Sequence, residues 1–210
     1  MPLLLLALHA VPLFPSAARS SGADIAAVTS VQGQVTVKRS GSAETGRPSR
    51  GAGLRVGDEV RTGDDGRCQV TLTDDSFINL GPRSAARINQ FSFDERADRR
   101  TAVLQVLEGH ARIVIYKVRS KDSKIRIEAE PASVIPDGLA DIAIALGPDR
   151  VEAAVLQGGA RVRNRLSYIV GEVRLRENLR TTVVERKPPT APSVVTARER
   201  QDILKIWKGF

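Results

Sequence analysis

The sequence predicts an all-β protein, a meander of short strands in a sandwich or solenoid-like β-body, followed by a short C-terminal α-helix. Short runs in which apolar and polar residues alternate recur along the chain, the mark of strands with one buried face. Gly, Asp and Pro punctuate these runs about every eight to twelve residues, the turn spacing of all-β domains. Stretches of helical periodicity are scarce before residue 196, and aromatic residues make up only 4% of the chain.

The chain opens on an apolar run over residues 3–14 that ends in the small residues Ser16, Ala17 and Ala18, and its first charge is Arg19. A membrane span needs about 20 apolar residues, and Pro12 and Pro15 would break a spanning helix. Residues 1–18 therefore read as a secretory signal, although the segment has no Lys or Arg of its own. A frayed apolar N-terminus or a buried strand is the alternative. The expected location is periplasmic or secreted, and no later segment reads as a membrane span.

Residues 24–187 form the expected β-domain. Val35 and Val37 alternate with Thr36 and Lys38, and Cys68, Val70 and Leu72 alternate with Gln69, Thr71 and Thr73. Asp64-Asp65-Gly66 supplies turn residues and predicts a tight hairpin joining a strand over 58–62 to one over 67–73. Asp74-Asp75 then separates Leu72 from Phe77, Ile78 and Leu80, and Gly81-Pro82 closes that strand before Ala86, Ile88 and Phe91. The charged stretch 94–100 reads as a mobile loop. It precedes an apolar run over 103–107 that turns at Gly109 into the strand over 111–116.

The heptad Leu107-Glu108-Gly109-His110-Ala111-Arg112-Ile113 is echoed 49 residues later by Leu156-Gln157-Gly158-Gly159-Ala160-Arg161-Val162. Val31-Gln32-Gly33-Gln34-Val35 is a weaker third copy. Such recurrence suggests structurally equivalent turn-and-strand units, with an ordinary hairpin glycine used twice as the simpler alternative.

Pro188-Pro189-Thr190-Ala191-Pro192 cannot pair in a central strand, so residues 188–195 are expected to be a linker. Thr196 with Glu199 has the spacing of a capping box, and Ile203, Leu204 and Trp207 share one face of the helix expected over 196–210. That apolar stripe is expected to cover an open edge or end of the β-body, with binding to a partner as the other reading.

The net charge is +8, from 32 Lys and Arg against 24 Asp and Glu, which admits polyanionic partners. Alternation puts Arg161, Arg163 and Arg165 on one strand face, with Arg174, Arg176 and the loop 96–100 as further cations. That face is a candidate for lipopolysaccharide phosphates or anionic wall polymers, and equally a solvated strand face. Nucleic acid is disfavoured, because few aromatics are present to stack on bases.

Cys68 stands alone, so it forms no disulfide within the chain, builds no thiolate zinc site and is expected to pack in the core. His110 follows a turn glycine and reads as an exposed polar residue rather than a catalytic base. Asp64, Asp65, Asp74 and Asp75 invite a carboxylate pair or a calcium site. Neighbours on a strand point to opposite faces, and the spacing fits no dedicated calcium loop, so turn chemistry explains them better. No catalytic, cofactor or metal site is expected.

Leu54-Arg55-Val56-Gly57-Asp58-Glu59-Val60-Arg61-Thr62-Gly63, followed by Gly66, Val70, Leu72, Asp74-Asp75-Ser76 and Leu80-Gly81-Pro82-Arg83-Ser84, resembles the FecR protein domain. The likeness continues through Ile88, Phe91, Leu107, Gly109 and Arg112 to Ile127-Glu128 and more loosely to Glu185 and the final helix, spanning residues 28–207 in all, and it is most specific over residues 54–93. Gly57, Asp58, Thr62, Gly63, Asp74, Ser76, Leu80, Gly81 and Ser84 carry the motif and read first as scaffold, with Asp58 accepting backbone donors in a turn. The family usually has Gly where Asp75 stands, so this turn should cost some stability or change type. The family's Val-Arg-Gly-Thr element is replaced by Val134-Ile135-Pro136-Asp137-Gly138-Leu139, and any role seated there is not expected to carry over.

The resemblance implies a non-enzymatic, extracytoplasmic binding or signalling module acting through an envelope protein or a cell-wall or outer-membrane component. A carbohydrate or anionic glycopolymer binder on the same β-body is the alternative. The family's best-known members also carry a cytoplasmic anti-sigma segment and a spanning helix. Neither is recognisable in these 210 residues, so sigma-factor control is not carried over.

Overall fold

In a computed structural model, residues 23–116 and 120–208 are described. The apolar run assigned to a signal lies outside them. The all-β expectation holds: sixteen hydrogen-bonded strands form one mixed sheet that curls into a half-barrel, and a single short helix follows.

Most strands come in bent pairs, because a glycine or a short turn redirects the chain without ending its ladder. Strand β1 (Ala26–Gln32) bends at Gly33 into β2 (Val35–Lys38). The two-residue strands β3 (Thr45–Gly46) and β4 (Gly53–Leu54) line the edges beside them. Strand β5 (Glu59–Thr62) bends over residues 63–66 into β6 (Arg67–Leu72). Gln32 lies opposite Arg67 and Val35 opposite Thr62, so one antiparallel ladder passes straight through the bend.

This overturns the hairpin expected at Asp64-Asp65-Gly66. β5 and β6 pair with β2 and β1 rather than with each other, and the turn residues serve as a corner between two layers. Strand β7 (Phe77–Leu80) likewise bends into β8 (Ala85–Asp94), and β9 (Arg99–Glu108) bends at Gly109 into β10 (His110–Ile115). Ala85 faces Glu108 and Leu80 faces Ala111 across that corner.

The charged stretch 94–100, expected as a mobile loop, is the tip of the β8–β9 hairpin. Asp94 pairs with Arg99, and Asp98 takes a φ of 47° in the turn between them.

After β10, strand β11 (Lys124–Ala129) runs parallel to β9, so the sheet is mixed. The fifteen-residue strands β12 (Ala132–Leu146) and β13 (Arg150–Asn164) then form an antiparallel ladder that is irregular around 136–140 and 156–158. Strands β14 (Glu172–Arg176) and β15 (Leu179–Val184) extend it, joined through Asn178 at a φ of 60°. Strand β16 (Ser193–Val194) pairs with β15.

Two layers result. One holds β1, β6, β7, β10, the second half of β12, the first half of β13, and β15. The other holds β2, β5, β8, β9, β11, the remaining halves of β12 and β13, and β14. The first four bent strands cross between layers along one margin. β12 and β13 cross along the opposite one: Ala140 pairs with Ile115 at the far end of β10, and Leu146 reaches Gly109. Val28, Leu72 and Ile113 from one layer share a buried cluster with Val37, Ile88 and Ile127 from the other, each contributing about 1.5–3 kcal/mol by leaving water.

The echoed motif marks these corners. Gly33, Gly109 and Gly158 all have positive φ, at 61°, 72° and 81°. A Cβ at Gly109 would lie 2.2 Å from the Arg83 carbonyl oxygen, and one at Gly158 2.1 Å from that of Leu139. Only glycine meets both the dihedral and the close approach of the neighbouring strand.

The helix α1 (Ala197–Lys205) starts at Thr196, whose side chain accepts from the Glu199 N–H while the Glu199 carboxylate accepts from the Thr196 N–H, the expected capping box. It lies over the outer face of the first layer rather than over an edge. Ile203, Leu204 and the buried Trp207 pack on Ala143, Ala154 and Leu156, the outward apolar residues of β12 and β13.

Candidate interaction surface

The motif residues form three hydrogen-bonded hubs that hold the corners and turns. The buried Asp58 carboxylate accepts from the N–H groups of Ser40 (2.9 Å) and Arg55 (3.0 Å) and from the Arg39 guanidinium (2.7 Å). It thereby ties the loop after β2 to the turn at Gly57, whose φ is 87°. This is the turn-acceptor role its place in the sequence predicts.

At the first corner the Thr62 hydroxyl donates to the Gly81 carbonyl at 2.6 Å and accepts from the Ser84 N–H at 2.9 Å. The Ser84 hydroxyl accepts from the His110 N–H, and Gly63 exchanges backbone bonds with Gln34 and Arg83. Leu80 beside them is fully buried.

In the third hub Asp74 accepts from both the N–H and the hydroxyl of Ser76 and forms a buried ion pair with Arg100 at 2.8 Å. Asp75 takes a φ of 67°, so the turn keeps a left-handed residue where the family has glycine. The sequence groups Arg100 with the candidate cations of the loop 96–100, but the structure buries it. Its guanidinium lies 4.7 Å from the centre of the Phe93 ring and also pairs with Asp98. A charge beside an aromatic two strands away from its carboxylate has no local signature.

The titratable candidates are accounted for by packing. Cys68 is wholly buried, and desolvation pushes its thiol up to about 12, so it is a protonated core residue at neutral pH. His110 is half-buried rather than exposed. It lines a groove of about 480 Å³ with Arg67, Arg83 and Ile206, and its pKa is lowered by burial and then by the Arg83 charge.

The four aspartates do not converge. Asp64 and Asp65 sit at the first corner, Asp65 accepting from the Gln34 N–H, while Asp74 and Asp75 lie at the far end of the β6–β7 hairpin. No cluster of His, Cys, Asp and Glu suited to a metal occurs among the described residues.

Arg161 and Arg163 lie on the outer face of β13, alternating with buried Val162 and Asn164, and Arg165 follows just past the end of the strand. Carboxylates answer most of this charge: Asp137 takes both Arg161 and Arg174, and Glu128 and Glu130 take Arg165. Arg163 and Arg176 are exposed and form no ion pair among the described residues. The rest of this outer face is laddered in the same way, with Glu59 between Arg61 and Arg87. Burial raises the pKa of Glu59, but hydrogen bonds from Arg87 and Arg61 outweigh it and leave the carboxyl below its ordinary value. No helix among the described residues is long and apolar enough to cross a membrane.

Residues 58–161 match the family described as FecR protein. Two crystal structures of a proposed anti-sigma factor from Parabacteroides distasonis ATCC 8503 share the fold, with TM-scores of 0.55 and 0.54 at 17% and 18% identity over 70% of this chain. The chain spans 63% and 64% of those two chains, less than two thirds of their length. No curated protein matches the chain. The matched stretch runs from the Asp58 turn to Arg161 on β13 and includes Asp58, Thr62 and Asp74, the central residue of each hub, and this chain is therefore a FecR-domain protein.

Proposed function

We propose that this chain is a non-enzymatic signalling or binding module that works outside the cytoplasm through contacts with an envelope protein or a cell-wall or outer-membrane component. The observation that carries the reading is the FecR match over residues 58–161, on a body whose motif residues are spent on holding corners and turns. Cys68 and His110 are drawn into packing. The relatives from Parabacteroides distasonis, themselves proposed anti-sigma factors, support a regulatory role played through protein partners. The apolar run over residues 3–14, ending in Ser16, Ala17 and Ala18, supports export.

Fractionation of native cells carrying a C-terminal tag, followed by crosslinking and mass spectrometry, tests location and partner together. The expected result is a shortened chain in the periplasm or medium, crosslinked to an envelope protein or wall component. A full-length cytoplasmic product would overturn the export reading, and the absence of any envelope crosslink would overturn the contact reading.

A further inference from the structure

The second layer ends on β14, which has β13 on one side and no strand on the other among the described residues. The remaining terminal strands of the sheet, β3, β4 and β16, are two residues each, and very short edges deny a foreign strand its template. The edge of β15 is shielded further by the Pro-rich segment: the Thr190 N–H donates to the Thr182 carbonyl at 2.9 Å, and the Thr181 hydroxyl donates to the Thr190 carbonyl at 2.7 Å. β14 has five residues and no such guard.

The side chains of β14 alternate along this open edge. Leu175 is fully buried and Val173 is half-buried against the core, so the apolar layer runs out to the last strand. Glu172, Arg174 and Arg176 face solvent. Arg174 shares Asp137 with Arg161, and Arg176 forms no ion pair among the described residues. Immediately before the strand, Tyr168 is 67% and Val170 89% exposed.

We propose that β14 is a docking edge that accepts an extended segment of a partner protein as an added strand. The segment carries apolar residues on its inner side, next to Val173 and Leu175, and acidic residues on its outer side, next to Arg174 and Arg176. Main-chain hydrogen bonds to the free edge supply affinity and the alternate side chains supply selectivity. Glutamates beside the two arginines form cross-strand pairs of opposite charge. Tyr168 and Val170 extend the apolar contact beyond the strand. This proposal rests on the contact-based function above and names the surface that serves it.

The test is amide chemical-shift mapping of the full chain with a short synthetic peptide in which valine alternates with glutamate. Shifts concentrated at residues 168–176 are expected, with at least a tenfold loss of affinity in the R174E/R176E chain. The same peptide with lysine for glutamate should ignore the native chain and bind the reversed one. Absent or scattered shifts, or binding indifferent to the reversal, would overturn the edge, as would a dimer that already occupies β14 without peptide. Crosslinks of a native envelope partner that map away from 168–176 would overturn this edge and leave the contact-based function standing. Failure of that function would show instead as no partner at all.

Discussion

The Asp74 carboxylate and the Arg100 guanidinium meet at 2.8 Å with side chains only 3% and 6% exposed, and they belong to opposite layers. Asp74 sits in the hairpin at the far end of β6 and β7, and Arg100 at the start of β9. On the margin where the first four bent strands do not cross, this pair joins the two layers. Removing one partner of a buried pair strands the other charge, which costs about 3–5 kcal/mol, whereas replacing both with apolar residues of similar size is often close to neutral. Urea denaturation should therefore show a large loss for Arg100→Met and recovery of most of it in the Asp74→Leu/Arg100→Met double variant. A single variant as stable as the native chain would mean that the pair is open to water.

The glycines with positive φ make a graded prediction. Gly41 has a φ of 74° with nothing within 4 Å of an added Cβ, whereas Gly158 combines a φ of 81° with the Leu139 carbonyl at 2.1 Å. Gly41→Ala should cost only the left-handed backbone penalty, about 1–2 kcal/mol. Gly158→Ala should cost clearly more, because the β12–β13 ladder has to shift as well. Equal thermal midpoints for the two variants would count against the close approach.

His110 sets a pH dependence whose sign follows from its environment. Burial and the Arg83 charge lower its folded pKa from 6.5, so the unfolded chain binds the proton first. Its effect on stability is nil above about pH 6.5, and stability declines as pH falls from there toward the folded pKa. Glu59 acts in a lower window: its folded pKa lies below 4.5, so its contribution is present above that value and is lost as pH falls through the folded pKa. In His110→Gln, urea midpoints between pH 7.5 and pH 5 should fall less steeply than in the native chain. An unchanged slope would assign that window to other groups.

Trp207 is the only tryptophan, and it reports on helix docking. It lies in a small outer cluster, separate from the main core and held by Ala143, Ala154 and Leu156. Elements with few buried apolar contacts open first. Tryptophan fluorescence should therefore change at lower urea than the β-sheet circular dichroism signal. Coincident transitions would show that the helix and the sheet unfold as one unit.

Cys68 offers a check on the core. A thiol fully out of solvent with a pKa of about 12 should resist alkylation in the native protein at pH 8 and react at once in denaturant. Fast native labelling would place β6 outside the stable core.

The sequence made the strands, the capping box and the turn role of Asp58 legible, because alternation, a Thr-to-Glu spacing and an Asp beside Gly57 act over a few residues. It also flagged Gly109 and Gly158 as equivalent. It misread Asp64-Asp65-Gly66, because the same residues serve a hairpin and a corner. Which one forms is decided by β1 and β2, which end as far upstream as residues 32 and 38. Arg100 was taken for one surface cation among those of the loop 96–100 for a related reason: its carboxylate partner is 26 residues away, in another layer. Arg161 and Arg163 are exposed on β13, but Asp137, which binds Arg161 and Arg174 from the bend of β12, has no signal near either arginine.

The β1–β2 ladder bears on what the smallest self-sufficient piece of this chain is. The stretch recognisable as FecR starts at residue 58 and stops at 161, yet β5 and β6 find one of their two neighbours only in β1 and β2, and β13 finds one of its own only in β14 and β15. A fragment cut at the recognisable boundaries would carry a raw edge at each end of its sheet and would be prone to stick to its own copies. The stretch matched to the family is thus shorter than the sheet that closes its edges.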